Sequence, residues 1–183
     1  MADIQDFEKT LKEVVNAKRL STTKMSTLTE QCMKSIEHDT QLVSLLYRTH
    51  KSLPTGQKVS SLYVFDALAR AARHAVNKHN ITVDPMGTKG NCATFLNKVE
   101  GVLDSLVDDM LSSGQKELRE KTKKILDIWT TNNTFSKETL AGLSAKVKTA
   151  EDKGTYQCHS FSAKSSFASA SVASASVSGK IMS

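Results

Sequence analysis

Ser61-Leu62-Tyr63-Val64-Phe65-Asp66-Ala67-Leu68-Ala69-Arg70 is the stretch on which the fold turns. Leu62, Phe65 and Ala69, continued by Ala72, recur at the spacing of one helical face, so the segment reads as a helix over about 58–78. Tyr63, Asp66 and Arg70 stand at i, i+3 and i+7 and share a second stripe. Asp66 therefore lies close to apolar residues, and a carboxylate there needs a partner. That partner is either Arg70, one turn on, or something external; the spacing leaves both open.

The same helical period extends outward in both directions. Ile4, Phe7, Leu11 and Val14 predict a helix over about 3–17, with Asp3 at its start. Met25, Leu28, Cys32 and Ile36 predict a second helix that begins after Ser21. A third runs over about 40–53 and stops at Pro54-Thr55-Gly56. Beyond a polar loop at 80–90, Phe95, Val99, Val102, Leu103, Leu106 and Met110 mark one long helix or two, halted at Ser112-Ser113-Gly114. A helix over 116–131 carries Leu118, Ile125, Leu126 and Trp129, and a last one over 137–148 starts at Ser136. No alternating strand pattern occurs, and both prolines fall in loops. The expectation is an all-α domain over 1–153 of about eight helices stacked in antiparallel pairs.

Composition changes near Asp152, the last acidic residue. The stretch 154–183 is Ser/Ala-rich with few large apolar residues, which predicts a disordered tail.

The totals narrow the function. The chain has 183 residues, a formal net charge of +6 and 39% hydrophobic residues, values of a soluble domain with an anionic partner. Three cysteines at spacings that fit no zinc site argue for a reducing compartment, with no metal and no cofactor. No apolar run reaches the ~20 residues of a membrane span. Walker, GxSxG, HExxH and dinucleotide patterns are absent from the sequence, so an enzyme is the least favoured class. Gly87-Thr88-Lys89-Gly90 has the form of a nucleic-acid GxxG loop but lacks its strand context and reads as a turn.

Two further places can hold chemistry. Ser21 opens a helix whose first amides are free, and Lys24 sits on the first turn with Lys18 and Arg19 just upstream. Free amides, hydroxyls and an ammonium suit a phosphate; an ordinary N-cap with a surface lysine is the other reading. Lys121, Lys124, Ile125 and Ile128 fall on one mixed basic and apolar stripe, either a ligand wall or a solvated edge beside the core.

Three blocks in order are similar to a known family. STTKMSTLTEQCMKSI resembles the second helix of the RNA polymerase II CTD-interacting domain (CID) family, SLYVFDALAR its fourth helix, and KKILDIWTTNNTFSKETL its later Ile-Trp and Asn-x-Phe-Ser segment. The likeness covers about residues 3–150 and is nearest to the fungal Nrd/Seb-type transcription termination factors. It implies eight helices in a right-handed, VHS/ENTH-like superhelix. It also implies a nuclear monomer that holds the serine-phosphorylated heptad-repeat tail of RNA polymerase II and recruits an RNA 3′-end processing or termination factor. On that resemblance Asp66 accepts the ligand tyrosine hydroxyl, and Tyr63 and Arg70 line the groove. Ile125 and Ile128 form the pocket for the ring. Ser21 and Lys24, with Lys18 nearby, seat one serine phosphate, and Lys124 reads another. Lys24 stands where the family often has Arg, which keeps the charge and loses the bidentate fork. A helical adaptor for acidic lipid or RNA is the alternative; the acids Asp3, Asp6 and Glu8 in the first helix weigh against membrane.

Overall fold

The computed structural model describes residues 2–83 and 89–162, with side chains over 4–83 and 89–151. Among these, seven α-helices and two single 3-10 turns account for the regular structure: α1 (Ala2–Val15), α2 (Thr22–Lys34), α3 (Asp39–Ser52), α4 (Lys58–His79), α5 (Cys92–Ser112), α6 (Lys116–Thr131) and α7 (Lys137–Ser162). The 3-10 turns, Ile36–His38 and Thr55–Gln57, lead into α3 and α4. The long stretch from Cys92, which its period left open as one helix or two, is one helix, and the described residues hold seven helices with two short turns. Gly87 and Thr88 of the GxxG stretch, and the Ser/Ala-rich segment from 163, lie outside the described residues. The last helix continues to Ser162, past the expected domain boundary at 153.

Local chemistry sets the ends. Ser21 caps α2 from extended backbone, its hydroxyl accepting from the Lys24 amide at 3.4 Å. Asn91 and Thr94 form a reciprocal capping box at the start of α5. Asn80 closes α4 in the left-handed conformation at φ 50°, and Gly114 separates α5 from α6 at φ 65°, where the missing Cβ removes the penalty.

α1 packs on α2, α3 on α5 and α6 on α7, while α4 touches α1, α2, α3, α5 and α6. This central place explains its burial. Beyond the predicted face of Leu62, Phe65, Ala69 and Ala72, the structure also buries Val64 and Leu68, because neighbours approach α4 from several sides. The small Ala69 and Ala72 let those neighbours come close. Trp129 and Phe135 meet edge to face, centroids 5.0 Å apart, and anchor the α6–α7 corner in the core. Arg73 of α4 donates twice to the Thr134 carbonyl at that corner, at 3.0 and 2.7 Å. The end of α6 is thereby fixed against α4, which matters for the site.

Candidate functional site

A groove of about 750 Å³ opens between α2 and α4. The α4 stripe read from the sequence forms one wall: Tyr63, Asp66 and Arg70. Ser21, Met25 and Thr29 contribute the other, and Leu20, a third exposed, stands at the mouth.

Asp66 is buried, with its side chain only 6% exposed, yet it lines this groove. Its carboxylate is held by three donors. Arg70 Nε reaches Oδ1 at 2.9 Å, Arg70 Nη2 reaches Oδ2 at 2.7 Å, and the Trp129 indole Nε1 reaches Oδ1 at 3.0 Å. The intrahelical partner open in the sequence is thus present, and a second partner comes from α6. The Asp66 carboxylate in turn holds the Arg70 guanidinium above its ordinary pKa. Arg70 remains half exposed and lines the groove.

The opposite wall carries the start of α2. No acidic side chain occupies its first turn, so the positive end of the helix dipole is uncompensated there by α2 itself. Lys24 does not line the groove; its ammonium pairs with Glu13 of α1 at 2.8 Å. The charge and hydrogen bond of Lys24 hold the Glu13 carboxyl below its usual range. Lys18 is exposed in the connection from α1 to α2.

On α6 the predicted stripe divides. Lys124 is exposed and Ile128 half-buried, whereas Ile125 is 2% exposed and packed in the core. Ile125 therefore offers no open face to a ligand, and the apolar contribution of α6 reduces to Ile128. The structure brings Ser21, Tyr63, Asp66 and Arg70 into one groove, while Lys18, Lys24, Lys124, Ile125 and Ile128 fall outside its lining.

The Trp129–Asp66 bond is absent from the sequence reading. The available signal was that a buried indole needs an acceptor for its N–H. A second polar cluster, at the α3–α5 contact, was also unseen. The Asp39 carboxylate accepts from Thr94 at 2.6 Å and Lys98 at 2.5 Å, and Gly90 packs directly on it.

A family model described as the CID domain matches residues 5–143. The chain belongs to the CID family. Among the curated relatives of this CID chain is the Rpb7-binding protein seb1 of Schizosaccharomyces pombe, 29% identical over 155 residues that span 82% of the chain and 24% of seb1. The chain thus corresponds to about a quarter of that relative's length. Among solved structures, the CTD-interacting domain of Seb1 from S. pombe superposes with a TM-score of 0.72 at 28% identity, covering 80% of this chain and 97% of that one. The RNA polymerase II CTD-interacting domain of yeast Nrd1 gives 0.61 at 25% identity, covering 75% and 97%. The all-helical CID superhelix is therefore the fold of this chain, and the α2/α4 groove is a feature of a CID.

Proposed function

We propose that this CID binds the serine-phosphorylated heptad-repeat C-terminal domain of RNA polymerase II in the α2/α4 groove. In the nucleus it would thereby bring an RNA 3′-end processing or transcription termination factor to the polymerase. The observation that carries the reading is Asp66: a nearly buried carboxylate lining an open groove, beside Tyr63 and Arg70 and across from an acid-free helix start. The reading is of a binding module, not an enzyme.

A ligand tyrosine ring settles against Tyr63 and Met25 of the groove walls, gaining roughly 1.5–3 kcal/mol for a large apolar side chain. Its hydroxyl donates to Asp66, since a buried hydroxyl without a partner is costly. Serine phosphates find the amides and hydroxyls at Ser21 and the cations Lys18, Lys24 and Lys124, each charged hydrogen bond contributing about 1.5–3 kcal/mol. Ordering a flexible peptide offsets several kcal/mol of this. Binding per repeat is then weak, and occupancy grows with the number of repeats.

Titration of two-repeat peptides, each phosphorylated on a single serine position, tests the reading. Saturable binding that depends on phosphate and is lost in Asp66→Ala is expected. Binding indifferent to both phosphate and Asp66 overturns it.

A further inference from the structure

The hydrogen bonds to Asp66 leave an asymmetric carboxylate. A carboxylate oxygen offers two lone-pair sites. Oδ1 accepts from Arg70 Nε at 2.9 Å and Trp129 Nε1 at 3.0 Å, so both of its sites are filled. Oδ2 accepts only from Arg70 Nη2 at 2.7 Å and keeps one site.

The two donors differ in permanence. The Arg70 side chain is 49% exposed and on a flexible stem, so its bonds to Asp66 are the more easily disturbed. Trp129 is fully buried, stacked edge to face on Phe135 at 5.0 Å, with its carbonyl accepting from the Thr134 amide at 2.9 Å. Its indole N–H cannot turn away without disturbing the core.

We propose that Trp129 is a positioning residue for the groove: its indole N–H locks the Asp66 carboxylate so that Oδ2 alone is presented, as the acceptor for one ligand hydroxyl. This rests on the reading that the groove takes a tyrosine-bearing peptide. Trp129 itself touches no ligand. It fixes the rotation of the carboxylate and, together with Arg70 Nε, fills both sites of Oδ1. The site then demands a donor, because a ring without a hydroxyl leaves the remaining Oδ2 site dry and unfilled. Without the indole bond the carboxylate can rotate, and the preference for a hydroxyl relaxes.

The test uses the full 183-residue chain and two-repeat phosphoserine peptides with either tyrosine or phenylalanine at the tyrosine positions. Wild-type protein should prefer the tyrosine peptide by roughly tenfold or more, the worth of one hydrogen bond to a charged group. Trp129→Phe should lose most of that preference while its affinity for the phenylalanine peptide stays within about twofold. Equal loss for both peptides, or an undiminished preference, overturns the inference and leaves the binding reading standing. Failure of wild type to bind either peptide overturns both. Because the chain has one tryptophan, its single indole N–H resonance gives a second measurement that needs no variant. That resonance should shift several-fold further with the tyrosine peptide at saturation than with its phenylalanine counterpart; equal shifts overturn the inference even if Trp129→Phe fails to fold.

Discussion

Lys24, on the first turn of α2, is neutralised by Glu13 of α1, with Nζ and Oε2 2.8 Å apart. A cation on the first turn is opposed by the helix dipole, and α2 supplies no acid of its own there. Glu13 provides the missing counter-charge from the neighbouring helix. Both side chains are about half exposed, so the pair is screened by solvent and exchanges easily for a better anion.

Releasing Lys24 should therefore strengthen phosphopeptide binding. Glu13→Gln is expected to tighten the singly phosphorylated peptide by about two- to threefold at low salt, with the gain fading as the Debye length falls from ~10 Å at 0.1 M toward ~3 Å at 1 M. Lys24→Glu should weaken phosphorylated peptides and leave the unmodified one nearly unchanged. Equal effects of either variant on both peptides, read by fluorescence anisotropy, would remove Lys24 from phosphate recognition.

Asp66→Ala should do more than abolish binding. It strips the acceptor from the buried indole N–H of Trp129 and from Arg70. An unsatisfied buried donor costs about 1–3 kcal/mol, so the denaturant midpoint should fall while the helical circular dichroism persists. A midpoint equal to wild type would mean that the indole finds another acceptor.

His50 gives the domain a pH dependence. Burial, aided by the Lys58 charge, pushes its imidazole from 6.5 down to about 4, although the Asp109 carboxylate 3.3 Å away favours the cation. Folding therefore prefers the neutral ring. Its stabilising effect is complete above the unfolded value, starts to fade as pH falls below 6.5, and is gone once pH passes the folded value of about 4. Between pH 7 and pH 5 the loss is on the order of 2 kcal/mol. Denaturant melts of wild type should show this slope, and His50→Phe should flatten it. An equal slope in both proteins would assign the effect to other groups.

Gly90→Ala should destabilise the α3–α5 contact. A Cβ at that position would sit 2.6 and 2.7 Å from the two oxygens of Asp39. Burial works against ionisation of Asp39, but the bonds from Lys98 and Thr94 prevail and hold its carboxyl below the usual range. Displacing that carboxylate disturbs a partnered charge, so a loss of about 1–3 kcal/mol in thermal or denaturant melts is expected. Wild-type stability would show that the loop shifts freely.

Much of this architecture was written locally. The apolar period of α1 to α6 fixed their limits to within a few residues, and Ser21 and Ser136 marked helix starts through short-range bonds to the Lys24 and Thr139 amides. The stripe of Tyr63, Asp66 and Arg70 followed from residues per turn alone. Such features depend on neighbours three or four positions apart, which a chain's order states directly.

What the chain order left undecided was every relation between distant helices. It could not tell how deeply each of Ile125 and Ile128 is buried, since both lie on one stripe and the packing of α6 on α4, α5 and α7 decides between them. It could not give Lys24 its partner on α1, or give Asp66 its second donor 63 residues away. These depend on how rigid helices cross and which side chains meet at the crossing, and a spacing rule carries no information about a neighbour that the spacing does not contain.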